Sequence, residues 1–457
     1  MPETQRRNTF LILSQVYIPD PASVGQHVAD AAAEMARRGY RVIVYAANRG
    51  YEDPTQRYPS REVIDGVEIR RFPLSSFGKQ SIALRLLAGT IFMLQCMIRG
   101  LFVRDLYGIL VSTSPPMCSV AAMFIGALRR APIKYWVMDL NPDQMVALGK
   151  LTPTSLPVRV FDALNRAILR HAADVVALDR FMADSLHRKR DIRDKLSILP
   201  PWPHEDHLGV VSHDQNPFRQ KHGLAGKLVI MNSGNHGTST PIDTVMQAAV
   251  RLRDRDDIVF MFIGGGVRKK QDVDDVIARH GLTNVRSLPY QPLSEIKYSL
   301  SAADVHIVSV ADNMVGIIHP CKVYGAMTVA RPILLLGPDP CHVGDLVSGN
   351  GIGWHVRHGD VDGAVRAIEE IAGTPAEARQ AMGARARELI LAGYSKSALC
   401  GAFCDVLERG LTKRRRHAAD RPATSGVPLD TPRGDVKIAR PEPQAAEREL
   451  KPADANA

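Results

Sequence analysis

The run MVGIIHPCKVYGAMTVARPILLLG, Met314 to Gly337, sets His319, Pro320, Cys321 and Lys322 at the head of a short helical pattern. Pro320 suits the first helical position, and Arg331-Pro332 ends the helix after two to three turns. "ILLLG" then has the all-apolar character of a parallel strand covered on both faces. A helix start beside such a strand end offers free N–H groups and about half a positive charge, and Lys322 adds a mobile cation. The matching guest is a phosphate. The plain alternative is a Pro-started helix whose lysine is only solvated. His319 is placed to touch a phosphate or a sugar hydroxyl, or is simply loop.

Two glycine clusters fall where strands of the same half should end: Gly234 and Gly237 in "SGNHG", and Gly264 to Gly266 in "FIGGG". Glycine there lets backbone approach a ligand with no Cβ in the way, although strand-to-helix turns also take glycine for conformational reasons alone. Gly25, at the start of the first helical pattern, would present N–H groups from the opposite half. Asp139 in "WVMDLNPD" closes a strand pattern. Its carboxylate there can orient a hydroxyl or take its proton, or else cap the next helix.

These residues need a scaffold that brings strand ends together. "TFLILSQVY", a helix over "QHVADAAAEMARRG" and "YRVIVYAA" form a βαβ unit, followed by a hairpin with an Asp65-Gly66 turn and by strands at "GILVSTS", "IKYWVMDL" and "DVVALD". After "SILPPWPHEDH", rich in Pro and polar residues, the alternation restarts with five strands, "KLVIMNSG", "IVFMFIGGG", "VRSLPY", "DVHIVSV" and "RPILLLG". The fold class is therefore α/β: two Rossmann-like, doubly wound domains facing across a cleft into which the carboxyl ends of both sheets point. We place the first domain at 1–199, a hinge linker at 200–217, the second domain at 218–393, a last helix at about 394–410 that packs back on the first domain, and a disordered tail at 411–457.

The chain of 457 residues carries a net charge of +10, which calls for an acidic partner. The short basic runs "RRRH" and "HRKRDIRDK" lack interleaved aromatics, so no nucleic acid is expected. Six scattered cysteines, with no C-x-x-C, fit a reduced cytoplasm, and no signal peptide is apparent. Ile82 to Arg104 is the most apolar helical segment. Only the thirteen residues Leu86 to Ile98 are free of charge, against roughly 20 needed to span a bilayer. It is either a buried helix or an interfacial one with flanking arginines. Asp254-Arg255-Asp256 mimics a metal-binding D-x-D, but it falls before a strand and away from the cleft.

In order, "IPDPASVGQHVADAAAEMARRGYRVIVYA", "STSPPM", "WVMDLNPD", "NSGNHG", "FIGGG", "SAADVHIVSV", "HPCKVYGAMTVARPIL" and "GIGWHVRHGD" resemble family 4 glycosyltransferases of the GT-B fold, most of all the branch that assembles bacterial surface polysaccharides. The resemblance covers roughly residues 8 to 410. It implies a retaining transfer from a nucleotide diphosphate sugar, such as a UDP-sugar, to a saccharide or polyprenyl-linked acceptor. The second half would hold the nucleotide, on a cytoplasmic enzyme peripheral to an anionic membrane surface, with no cofactor and no required metal. It assigns Lys322, Asp139 and His319 to the chemistry. Substrate contacts would come from Gly25, Gly234, Asn235, His236, Gly237, Gly264, Gly265, Tyr290, Pro320 and Tyr324. Lys322 would stabilise charge on the departing diphosphate.

The chain departs from that family twice. Its usual pair of glutamates, eight positions apart, falls on Ile317 and Gly325, and the Arg and Lys expected after the first glycine loop are replaced by Asn235 and His236. Phosphate charge would then rest mainly on Lys322, with Arg268, Lys269 or Lys270 as helpers. A sugar-nucleotide epimerase and a membrane scaffold that has lost donor chemistry are the rival readings. A nicotinamide dehydrogenase is disfavoured, because the first loop "SQVYIPDPASVG" lacks G-x-G-x-x-G and "GGGVRKK" lacks the third glycine.

Overall fold

The computed structural model describes residues 8–410 apart from 21, 51–52, 77–81, 114, 116 and 205–208. The expected tail at 411–457 lies outside the described residues. The first sheet contains β1 (Thr9–Leu13), β2 (Arg41–Ala47), β3 (Arg61–Ile64), β4 (Val67–Phe72), β5 (Leu106–Ser112), β6 (Ile133–Trp136), β7 (Asp174–Ala177) and β8 (Leu196–Ile198), in the order β3-β4-β2-β1-β5-β6-β7-β8. Only β3 is antiparallel, paired to β4 through the Asp65-Gly66 turn, where both residues have positive φ as a two-residue hairpin requires. The second sheet contains β9 (Leu228–Ser233), β10 (Ile258–Ile263), β11 (Val285–Leu288), β12 (Val305–Ser309), β13 (Ile333–Leu336) and β14 (Gly353–Val356), all parallel, in the order β11-β10-β9-β12-β13-β14.

The second sheet has the doubly wound order in which the winding reverses between its first and fourth strands, here β9 and β12, and β4-β2-β1-β5-β6-β7 repeats it with the reversal at β1 and β5. Loops beyond the carboxyl ends of these strands diverge and leave a crevice, the usual ligand position in such sheets. Residues following β9, β12, β1 and β5 are therefore the ones the fold can bring to chemistry. The buried runs of β10 and β13 are apolar throughout, and β1 is apolar after Thr9, because helices cover both faces.

Two short strands escaped the pattern. β8 runs into the Pro-rich stretch and β14 is formed by "GWHV"; at three and four residues, both are too short to betray themselves. The described ends of the expected hinge are packed. Trp202 is buried, stacks on Trp136 and donates its indole N–H to Asp30, while Asn216 caps the helix Pro217–Lys221.

The helix Lys396–Glu408 lies against the first helix, Ser23–Arg37, with Leu399, Phe403 and Leu407 in the core of the first sheet and Arg38 paired to Asp405 and Glu408. Lys134 of β6, buried, holds its end: the ammonium donates to the Arg409 carbonyl at 2.6 Å and the Val406 carbonyl at 3.3 Å, and pairs with Asp174 of β7 at 2.5 Å.

Candidate active site

Lys322 is the first residue of a seven-residue helix, Lys322–Thr328, that follows β12 and its long loop. Pro320 stands before that helix, not at its first position as the sequence pattern predicts, because Cys321 serves as the cap. The N–H of Cys321 goes to the His319 carbonyl, that of Val323 to the Pro320 carbonyl and that of Tyr324 to the Cys321 carbonyl. This tight lead-in consumes donors that a free helix end would have offered to a phosphate. The cationic group of the site is the lysine side chain itself.

That side chain crosses to the end of β9. Its ammonium donates to the Asn235 carbonyl at 2.9 Å and to Asn232 Oδ1 at 3.2 Å. Gly234 makes the path possible: it has φ +123°, and a Cβ there would stand 2.9 Å from the lysine Cε. Burial lowers the Lys322 pKa from its ordinary 10.5 to about 8. No carboxylate pairs with it among the described residues. Around it, Asn232 Nδ2 and both ring nitrogens of His236 are buried without a hydrogen-bond partner among the described residues. Burial, helped by the Lys322 charge, holds the His236 pKa down to about 4, so the ring is neutral.

The two glycine loops interlock. A Cβ on Gly264 would collide with the Gly234 carbonyl, and one on Gly266 with the His236 carbonyl, while the His236 N–H bonds the Gly265 carbonyl at 2.7 Å. The exposed Tyr290 ring lies over Gly265, where a Cβ would come within 2.8 Å of it, and it offers a flat face at the end of β11. Gly237 sits at the outer turn of the β9 loop, beside Asn235.

The expected helpers are engaged elsewhere. Arg268 pairs with Asp272 at 2.7 Å, Lys269 donates to the carbonyls of Gly264 and Leu288, and Lys270 lies 3.7 Å from Asp275. Gly25 is buried, and its N–H bonds the Ala22 carbonyl at 2.9 Å instead of pointing at a ligand. It serves the close passage of the first helix over Val16 and Tyr17.

Asp139 lies in the loop beyond β6, not at a strand end, and the following helix Asp143–Ala147 has Pro142 as its cap. The N–H groups of Met138 and Asp139 both donate to Thr113 Oγ1 at 3.1 Å, which holds the carboxylate in place. Burial raises its pKa to about 6. It faces the Lys322 segment across the crevice: the Leu140 N–H bonds the Ile317 carbonyl at 2.9 Å, and Asp139 helps burial push the Cys321 thiol up to about 12. A desolvated carboxylate facing the segment that leads into Lys322 is suited to receive a proton.

His319 and Tyr324 do not face the crevice. Both are buried, with His319 Nδ1 2.7 Å from Asp179 Oδ2, His319 Nε2 2.8 Å from the Tyr324 hydroxyl, and that hydroxyl 2.9 Å from His342 Nε2. Asp179, His319 and His342 also have ligand atoms within 4.8 Å of one another, the spacing of a metal site, but hydrogen bonds through Tyr324 already join them. The D-R-D run lies at the amino end of β10, opposite the glycine loops, with Arg255 bound to Asp257. Asn232, Asp179 and His342 were not foreseen. A polar residue near the carboxyl end of the buried strand "LVIMNS" was a usable signal for Asn232, and nothing local marks the other two.

Of the positions where the resembled family carries glutamates, Ile317 packs between the cores of both sheets and Gly325 is open, a Cβ there meeting only Leu300 at 3.9 Å. Residues 23–202 match the family model described as glycosyl transferase 4-like domain, and residues 214–389 the model described as glycosyl transferases group 1. Over 270 residues, 58% of the chain, the sequence is 28% identical to the probable glycosyltransferase WbjE of Pseudomonas aeruginosa. Over 233 residues, 50% of the chain, it is 22% identical to the putative colanic acid biosynthesis glycosyl transferase WcaI of Escherichia coli K12. These matches span 65% and 57% of the two relatives' own lengths. In structure, 88% of the chain superposes on 99% of Anabaena Alr3699/HepE in complex with UDP, with a TM-score of 0.65 and 14% identity.

Proposed function

The chain belongs to the glycosyltransferases, with the GT-B fold, and from that premise we propose that it is a retaining enzyme that moves a sugar from a nucleotide diphosphate, a UDP-sugar, to a lipid-linked or oligosaccharide acceptor in cell-surface polysaccharide synthesis. One observation carries this reading: Lys322 is a half-buried ammonium at the switch point of the second sheet, with no carboxylate on it and polar atoms around it left unpartnered among the described residues. A bound diphosphate would bring that site the negative charge and acceptors it lacks. The UDP held by the similar HepE and the colanic acid biosynthesis ascribed to WcaI support the donor and the process.

In the transfer, the bond from the anomeric carbon to the β-phosphate oxygen breaks and the nucleotide diphosphate leaves with the electron pair. The acceptor oxygen forms the new bond, and its proton passes to Asp139. Lys322 meets the charge as it grows on the leaving oxygen, an interaction stronger in the transition state than in the ground state. The Tyr290 ring over Gly265 stacks on the base. The scheme places no metal, and Lys322 offsets one of the diphosphate's negative charges.

A screen of nucleotide sugars by thermal shift tests the donor: one present at about 100 times its dissociation constant adds about 2.7 kcal/mol of stability. A scaffold without donor chemistry would show no such shift and no release of nucleotide on adding acceptor, and an epimerase would convert the donor without any acceptor. Because Lys322 must be charged to hold phosphate and its pKa in the free protein is about 8, UDP affinity falls as pH rises through 8. Calorimetry in buffers of different ionisation heat should show proton uptake on binding near pH 8. Uptake of no proton there would exclude this lysine as the phosphate ligand.

The acceptor side supports work at a membrane surface. The helix Ile82–Gly100 is neither wholly buried nor wholly free: Ala88, Phe92 and Cys96 enter the core while Leu86, Leu87, Leu94 and Ile98 face outward. Phe102, 79% exposed, and Phe124 and Leu128 of the adjoining helix Cys118–Arg129 continue that apolar face. Between residues 82 and 130 the sequence has five arginines and one aspartate, a net charge of +4. An apolar patch rimmed by arginine fits an anionic bilayer surface on the cytoplasmic face. Flotation with vesicles containing anionic lipid should show binding that weakens in high salt, and Leu94→Asp with Ile98→Asp should abolish it. Equal flotation of the wild type with and without anionic lipid would refute the charge component.

A further inference from the structure

The hydrogen-bonded chain Asp179, His319, Tyr324, His342 takes no part in holding the diphosphate, yet it runs through the seam between the two sheets. Asp179, just past β7, caps the helix Arg180–Lys189 with one oxygen, through the Met182 N–H at 2.8 Å, and meets His319 with the other. His319 ends the β12 loop, Tyr324 lies on the Lys322 helix, and His342 opens the helix His342–Asn350 after β13. Three of the four are fully enclosed, and His342 is partly exposed.

Other contacts converge on the same seam. Gly316, with φ +71°, packs so tightly that a Cβ would stand 2.5 Å from the Phe181 carbonyl and 2.7 Å from Ser185 Oγ. Arg180 makes a bidentate pair with Asp345 at 2.7 and 2.9 Å, and Asn313 donates to the Ala147 carbonyl at 2.6 Å. We propose that Asp179 and His319 are positioning residues: their bond sets the acceptor-side sheet against the segment that carries Lys322, and so fixes the lysine relative to Asp139 for transfer. This rests on the transferase reading above. An apolar seam would tolerate small slides. A buried carboxylate and imidazole do not, because displacement by an ångström leaves both unpaired in low dielectric. His319 is three residues from Lys322, and Leu140, the neighbour of Asp139, is tied to Ile317, so little of the chain can absorb a slip.

Two amides divide the imidazole's work. The asparagine amide occupies the place of Nδ1 and can still reach Asp179, whereas glutamine occupies the place of Nε2 and can reach only Tyr324. His319→Gln should lower kcat for transfer by about 10- to 100-fold, with the UDP-induced thermal shift and donor KM within about twofold of wild type. His319→Asn should keep kcat within about threefold. Should His319→Gln not fold, Asp179→Ser, which retains the helix cap but cannot span to His319, should give the same kcat loss.

Equal effects of the glutamine and asparagine variants, or a loss of UDP affinity that parallels the loss of kcat, would overturn the proposal. A dye pair attached at exposed Ala163 and Glu369 gives a readout free of turnover. A broader distance distribution in His319→Gln than in His319→Asn supports the joint even if no donor is turned over, in which case it is the transferase reading that fails. Identical distributions in wild type and both variants would dispose of the joint.

Discussion

Lys322→Ala should lower kcat for sugar transfer by on the order of 10²-fold or more, the scale seen when one preorganised electrostatic donor is removed, and should erase the thermal shift produced by UDP. The local pattern alone suggests a solvated lysine whose loss leaves folding unchanged. Its burial on Gly234 changes that expectation. A lysine whose pKa is depressed in the fold disfavours its own charge there. Below about pH 8 folded and unfolded chains both carry the proton, so the full penalty is present, and it fades as pH rises toward the ordinary value of 10.5. Lys322→Met, which keeps the stem volume, should therefore raise the melting temperature of the ligand-free protein at pH 7, with a gain of about 1 to 3 kcal/mol, and the gain should shrink by pH 10. Loss of activity with gain of stability identifies a group kept for its ligand and not for the fold. A Lys322→Met protein that melts earlier than wild type and still responds to UDP would return this lysine to ordinary packing.

The sheets were legible because burial on both faces leaves a run such as "IVFMFI" or "ILLL" no other home, and the alternation of such runs with amphipathic stretches dictates a doubly wound order. β8 and β14, at the edges of their sheets, carry half-exposed residues and lack that signature. Lys322 and the glycines stand out in the sequence as candidates because what marks them is local: a cation before a strand, and turns that need a missing Cβ. The fates of His319 and Tyr324 were not local. Their partners, Asp179 and His342, lie 140 and 18 residues away from them, and only the docking of one sheet on the other brings an aspartate that caps a helix against a histidine in a loop. Arg268 and Lys269 misled for the converse reason. A basic residue next to a glycine loop looks free until the carboxylate or carbonyl beside it is known.

The largest stability effect falls far from the crevice, on Lys134. The register of β6 and β7 sets Lys134 directly beside Asp174, and the ammonium's remaining donors close the end of the helix Lys396–Glu408. Burial lowers the Lys134 pKa and the carboxylate of Asp174 opposes that shift. Lys134→Ala removes the cation but leaves a buried carboxylate and two carbonyls, and breaking a buried pair from one side costs about 3–5 kcal/mol. Chemical denaturation should show that loss, whereas Lys134→Met combined with Asp174→Leu, which removes both charges, should recover most of it. The same contacts dictate where the chain can be shortened. A stop after Leu411 leaves the Val406 and Arg409 carbonyls on Lys134 and Phe403 on Trp136, and the melting temperature should hold. A stop after Tyr394 removes the whole helix, strands Lys134 with Asp174 and opens Trp136 and Trp202 to water, and the protein should fail to fold. If the shorter chain melts like the longer one, the helix does not hold the first sheet together, and Lys134 answers to Asp174 alone.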